Sequence, residues 1–144
     1  MLYDNSKNKN YSVIVSIPAI REELTIGKVI SDIRSQLKNE ALVVVCVRDE
    51  DDPTVHKAIS SGADLVVAQP IRGYGLAHLA AMRYGIKRSP QASTIVMVDG
   101  DGTYDVSKLK EIVELSCKCN CLVIGNRLHK RPSKEAMSLV NYIG

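Results

Sequence analysis

The sequence contains no phenylalanine and no tryptophan, and its aromatic content is six tyrosines in 144 residues. A core built around large aromatic rings is therefore excluded. It has to come from Val, Ile, Leu, Ala and Met, which suits strands buried on both faces of a parallel sheet. Long apolar runs are missing too: none approaches the roughly 20 residues needed to span a bilayer. The first ten residues, Met1 to Asn10, are polar and lack the apolar stretch of a signal peptide, so the expected location is cytoplasmic. Nor is there a strong excess of one charge. The net charge is +3, with basic residues gathered at Lys87-Arg88 and Arg127 to Lys134, and no nucleic-acid partner is expected from it. A composition of 45% hydrophobic and 24% charged residues describes a folded, soluble chain. Its length suffices for one domain with a core and falls short of two ordinary ones.

Cysteine is present but gives no disulfide framework. Cys46, Cys117, Cys119 and Cys121 lie in a chain with enough apolar residues to stabilise itself without cross-links. The spacing Cys117-x-Cys119-x-Cys121 differs from the Cys-x2-Cys pairs of zinc sites. These cysteines read as small apolar residues entering a strand. His56, His78 and His129 read as surface residues.

What the chain does have is alternation of apolar runs with helical patterns. Tyr11 to Ile17 is a strand closed by Pro18, which cannot continue a central ladder. Ile26, Val29, Ile30, Ile33 and Leu37 recur at helical spacing, with Thr25 placed to cap the helix. Leu42 to Val47 is a second strand, and Pro53 fits the first turn of a short helix reaching about Ser61. Ala63 to Ala68 is a third strand. Gly73-Tyr74-Gly75 opens a helix from Leu76 to about Lys87, in which Ala77, Ala80 and Ala81 permit close packing. A fourth strand, Ile95 to Val98, is followed by a helix capped by Asp105 and carrying Leu109, Ile112 and Val113. Cys121 to Ile124 is the fifth strand. The spacing predicts an α/β fold with a mostly parallel sheet and helices on both faces. Residues 1–10 are expected to form a disordered tail and residues 11–144 the domain.

The charges respect this plan. Glu22, Asp49, Asp99 with Asp101, and Arg127 follow the carboxyl ends of strands one, two, four and five, the edge where such sheets bind ligands. Asp99-Gly100-Asp101-Gly102 is the densest case. Two carboxylates one residue apart can converge on a hard cation such as Mg²⁺ or Mn²⁺, and the glycines let a ligand approach the backbone. An isolated Asp-x-Asp is equally the mark of a solvated turn.

Four motifs in order resemble the family 2 glycosyltransferases of the GT-A fold, in particular the dolichyl-phosphate mannosyltransferase-like branch. Val15-Ser-Ile-Pro-Ala-Ile-Arg-Glu-Glu23 is similar to that family's strand followed by Pro-Ala-x-Asn-Glu-Glu. Gly73-Tyr-Gly-Leu-Ala77 resembles its Gly-Lys-Gly-x-Ala helix entry. Val98-Asp-Gly-Asp-Gly-Thr-Tyr-Asp105 resembles its Asp-Ala-Asp-Gly-x-Tyr-Asp metal motif, and Ile124-Gly-Asn-Arg127 its Gly-Ser-Arg. The second strand departs from the pattern: Val47 and Arg48 stand where the family has an acidic pair, and Asp49 comes one place late. Asp52 and Thr54 still match. Arg21 replaces the family's Asn.

The resemblance implies a Rossmann-like nucleotide-diphospho-sugar transferase. Its donor would be a GDP- or UDP-linked sugar. Pro18, Ile20, Glu22, Arg48 and Asp49 would belong to the nucleotide pocket. Asp99, Gly100 and Asp101 would meet the diphosphate, with Asp101 the direct ligand of Mg²⁺ or Mn²⁺ and Asp99 beside it nearer ribose or sugar. Arg127 would reach a phosphate. Glu22 reads equally as an acid favoured at a helix N-terminus, and Arg127 as part of a solvated basic face. The implied reaction is inverting transfer to an acceptor such as a polyisoprenyl (dolichyl) phosphate, with the protein peripheral at the cytoplasmic membrane face. A phosphate acceptor is already ionised and needs no general base. Two alternatives stay open: an enzyme like the glucosyl- or mannosyl-3-phosphoglycerate synthases, and a nucleotide-binding module without turnover. A homo-oligomer is compatible with either. The resemblance also implies that the chain is the donor-binding half of a longer protein, truncated at its C-terminal end, and that this half alone transfers little sugar.

Overall fold

A computed structural model describes residues 1–6 and 10–126. Its sheet contains β1 (Tyr3–Asp4), β2 (Val13–Pro18), β3 (Ala41–Val47), β4 (Leu65–Ala68) and β5 (Thr94–Met97), in the spatial order β1-β4-β3-β2-β5. β2 pairs in parallel with both β3 and β5, and β3 with β4; β1 alone is antiparallel. The helices are α1 (Ile26–Leu37), α2 (Thr54–Ser60), α3 (Tyr74–Arg88) and α4 (Leu109–Cys119), with a 3-10 turn at Lys38–Glu40.

The order of the strands dictates where the helices go. β2, β3 and β4 step outward in one direction, and then the chain returns to place β5 on the far side of β2. With right-handed crossovers, reversing direction moves the connecting helix to the opposite face. Accordingly α1, α2 and α4 cover one face, where Ile26, Ile30, Ile33 and Leu109 meet Val13, Val15, Val43 and Val45. α3 covers the other, where Ala81 meets Ile14, Leu42 and Val44. A strand flanked on both sides reads as a continuous apolar run, and every residue of β3 is buried. α3 lies very close to β2: a methyl group on Gly85 would fall 2.6 Å from Ile14 Cγ2. The carboxyl ends of β2 and β5 meet where the strand order reverses, beside a cleft that runs across the ends of β2, β3 and β4.

The expected α/β architecture with helices on both faces is present, and three local expectations are corrected. Part of the supposed tail forms β1, because Leu2 and Asn5 donate to the carbonyls of Val66 and Asp64 at 2.8 Å. Ser6, 1% exposed, is gripped by the guanidinium of Arg88. The run Cys121 to Ile124 is not a strand: Leu122 and Ile124 are 86% and 80% exposed and are paired with no strand among the described residues. An apolar run supplies the side chains for a strand, but a strand also needs a neighbouring edge. Cys119 is joined to Cys121 in a disulfide at the end of α4, and Cys117 is exposed on the same helix, so these cysteines do not enter a strand.

The caps differ too. Thr25 sits at the N-cap of α1 without a capping hydrogen bond from its side chain, and α4 begins after Lys108 rather than at Asp105. Asp105 instead accepts the N–H of Ser107 at 2.9 Å.

Candidate active site

A cleft of about 510 Å³ opens at the carboxyl ends of the parallel strands. The end of β2 and the loop after it contribute Pro18, Ala19, Ile20 and Glu22, and the end of β3 with the following residue contributes Cys46, Val47 and Arg48. The segment after β4 supplies Gln69 to Gly73, α3 supplies Tyr74 and Ala77, and the end of β5 supplies Asp99, Gly100 and Asp101. Asp101 also borders a second cavity of about 530 Å³, between α1 and residues 102–107.

The strand ends continue their pairing into the cleft. Val98 donates to Ser16 O at 3.1 Å, Gly100 to Pro18 O at 3.1 Å and Ala19 to Cys46 O at 2.9 Å. Gly100 is needed for this contact, since a methyl group there would lie 2.6 Å from the Ala19 Cβ. The Thr25 hydroxyl stands 2.8 Å from Gly100 O and 2.9 Å from Glu22 Oε2. It has one proton and can donate to only one of them at a time, so it links the acidic motif to the Glu22 loop.

That loop is held from below. Arg21 has φ +58°, a left-handed conformation that costs an L-residue roughly 1–2 kcal/mol. Its N–H faces both oxygens of Asp52 at 3.2 Å, and Asp52 Oδ1 also accepts the N–H of Thr54 at 2.9 Å. The N–H of Glu22 donates to Thr54 Oγ1 at 2.8 Å. Asp52 is 6% exposed and Thr54 0%. These two buried residues stand 31 and 32 positions along the chain from the loop residues they fix; composition and local pattern carry no sign of that role.

Asp99 is held from the side. The Tyr74 hydroxyl donates to its Oδ1 at 2.7 Å, and His78 Nε2 faces the same oxygen at 4.0 Å. The Tyr74 and His78 rings meet edge-on, with centroids 4.7 Å apart. Burial, the hydrogen bond to Asp99 and the carboxylate charge all push the Tyr74 phenol well above its ordinary range. Burial pushes His78 below its ordinary range against the opposing pull of Asp99. His78 is 2% exposed and does not border the cleft, which corrects its reading as a surface residue. The signal was its place with Ala81 and Gly85 at i, i+3, i+7, the buried stripe of α3. His56 is exposed as expected.

Of the residues singled out in the sequence, Pro18, Ile20, Glu22, Arg48, Asp99, Gly100 and Asp101 border one cleft. Asp49 does not: it is exposed in the bend after β3 and is not among the residues that line the cleft. Arg127 and His129 lie outside the described residues. Among the described residues there is no cluster of three His, Cys, Asp or Glu side chains that would cage a metal ion. Asp101 Oδ1 accepts from the N–H and hydroxyl of Thr103, both at 2.9 Å. Two carboxylates at an open cleft still suit Mg²⁺ or Mn²⁺, which take one or two protein carboxylates and complete their shell with phosphate oxygens and water.

No family model matches the chain. Glycosyltransferase AglJ of Haloferax volcanii is 33% identical over 134 residues, which span 92% of this chain and 41% of AglJ. Protein RfbJ of Shigella flexneri is 30% identical over 104 residues, 72% of this chain and 75% of RfbJ. Among solved structures, one described as the crystal structure of a mycobacterial protein superposes with a TM-score of 0.53 at 27% identity. The superposition covers 76% of this chain and 38% of that one. The chain thus spans about two fifths of the length of AglJ. With a Rossmann-like sheet, a cleft at the carboxyl ends of its strands lined by Glu22, Asp99 and Asp101, and these two relatives, the chain belongs to a glycosyltransferase family.

Proposed function

We propose that the chain binds a nucleoside-diphosphate sugar, GDP- or UDP-linked, and serves metal-dependent, inverting transfer of the sugar to a polyisoprenyl phosphate at a membrane surface. The observation that carries this reading is the convergence of Glu22, Asp99 and Asp101 on one cleft at the carboxyl ends of the parallel strands. Glu22, tied to Thr25, accepts hydrogen bonds from base or ribose. Asp99, steadied by Tyr74, accepts from ribose or sugar hydroxyls. Asp101 would hold Mg²⁺ or Mn²⁺, with Asp99 beside it, and the cation would supply positive charge against the diphosphate leaving group. Arg48 at the end of β3 adds a cation to the same cleft. A phosphate acceptor arrives ionised, so the chain has no proton to remove from it. No helix among the described residues is long and apolar enough to cross a membrane, and in this reading the lipid phosphate is met at the bilayer surface.

The test is calorimetry with UDP, GDP and their sugars, with and without Mn²⁺. Metal-dependent binding of one base over the other is the expected result. Absence of binding for all of them would remove the donor site. Soluble phosphorylated product from phosphoglycerate, in place of lipid-linked product, would replace the acceptor.

A further inference from the structure

Ser16, His78 and Asp99 form a line from the interior of the sheet to the cleft. Ser16 lies on the α3 side of β2 and is 0% exposed; its Oγ is 2.8 Å from His78 Nδ1 and 3.4 Å from the His78 carbonyl. A serine hydroxyl has one proton. If that proton goes to the carbonyl, Nδ1 has to carry the ring proton. Nε2 then turns a bare lone pair toward the carboxylate of Asp99, two acceptors facing each other at a buried position. If the hydroxyl proton goes to Nδ1, the ring proton sits on Nε2 and faces the carboxylate. Of the two neutral tautomers, only the second gives every group a complement, and a low-dielectric setting makes that difference count.

His78 Nε2 is buried and has no hydrogen-bond partner. Its 4.0 Å separation from Asp99 Oδ1 is too long for a hydrogen bond, and a carboxylate shift of roughly 1 Å closes it. Tyr74 approaches the same oxygen from the cleft side at 2.7 Å. Two side chains, one from the core and one from the rim, therefore stand beside a single oxygen of the carboxylate that borders the cleft.

We infer that His78 is a positioning residue for Asp99: its Nε2–H and the Tyr74 hydroxyl share Oδ1 and leave Oδ2 for the ligand. The residue touches no ligand itself. It acts by restricting the rotamers of Asp99, so that the carboxylate is oriented before binding rather than at its expense.

The ring proton is read directly in the ligand-free protein by long-range ¹H–¹⁵N correlation, with the signals of His78 identified by their loss in H78Q. We expect a protonated Nε2 and a bare Nδ1; a proton on Nδ1 overturns the inference. The second arm rests on the donor-site reading and measures Mn²⁺-supported affinity for GDP and UDP by calorimetry. In H78N the amide can still meet Ser16 but does not reach Asp99, and we expect affinity to fall roughly tenfold, the loss of one hydrogen bond to a charged group. In H78Q the longer amide restores a donor near the Nε2 position, and affinity should return to within about threefold of wild type. Equal affinities for wild type and H78N overturn the inference. If the wild-type chain binds neither nucleotide, the donor-site reading falls, and the role of His78 is decided by the ring proton alone.

Discussion

The backbone N–H of Gly100 donates to the carbonyl of Pro18 at 3.1 Å, and the space beside it is too small for a methyl group. This contact joins the ends of β2 and β5 at the point where strand order reverses. It sets the distance between the Glu22 loop and the two aspartates. Gly100→Ala places a Cβ 2.6 Å from that of Ala19, so one strand end has to move. The expected cost is about 1–3 kcal/mol of stability by urea unfolding, with a loss of metal-dependent nucleotide affinity. Full stability and full affinity together would mean that the ends are not held this closely.

Asp52 and Thr54 should matter for binding although neither borders the cleft. Asp52→Ala leaves the N–H groups of Arg21 and Thr54 without an acceptor, and Thr54→Val does the same to Glu22. Each is expected to cost about 1–3 kcal/mol. Hydrogen exchange at Arg21 and Glu22 should accelerate in both variants, and nucleotide affinity should fall. Unchanged exchange at those two amides would show that the loop is held by something else.

Asp101→Asn should separate metal binding from nucleotide binding. Calorimetry with and without Mn²⁺ should show the metal-dependent gain largely gone, about 1.5–3 kcal/mol if it behaves like other charge-assisted contacts. Binding without metal should change little. A variant that keeps the full Mn²⁺ gain would move the cation to other residues.

Acid should loosen the N-terminal strand before the rest. The Ser6 hydroxyl, with its N–H and the Arg88 guanidinium, outweighs burial and holds the Asp4 carboxyl below the usual carboxylate value of 3.8. A carboxyl lowered in the folded state contributes stability that is fully present above its unfolded pKa and is lost as pH falls through the folded value. Asp4→Asn should therefore lower stability at neutral pH and make no difference at pH values below the folded one. The check is a pair of urea curves, one at pH 7 and one near pH 2. An equal deficit at both would assign the effect to packing rather than charge.

Much of the fold was legible in the chain because buried parallel strands announce themselves. Leu42 to Val47 and Leu65 to Val67 are continuous apolar runs, and Val13 to Ile17 is interrupted only by Ser16, as expected of strands covered on both faces. Asp99, Gly100 and Asp101 were legible as charge and glycine directly after an apolar run, a pattern that fits the sheet's carboxyl edge as well as a solvated turn; the fold places them at that edge.

Sequence alone therefore determined the alternation of strands and helices and the edge on which the acidic residues gather. Tertiary structure decided which apolar run finds a neighbour, which polar residue is buried, and which distant pair supports the loop. Cys121 to Ile124 has the composition of β4 but lacks its hydrogen-bonded edge. His78 is polar by type and buried by position, because the stripe it shares with Ala81 and Gly85 rests on β2. Asp52 and Thr54 match a motif in the sequence, but their hold on Arg21 and Glu22, in the loop after β2, exists only once the chain has folded. Periodicity is a property of neighbours along the chain, whereas pairing, burial and hydrogen-bond partnership belong to groups that meet only once the chain has folded.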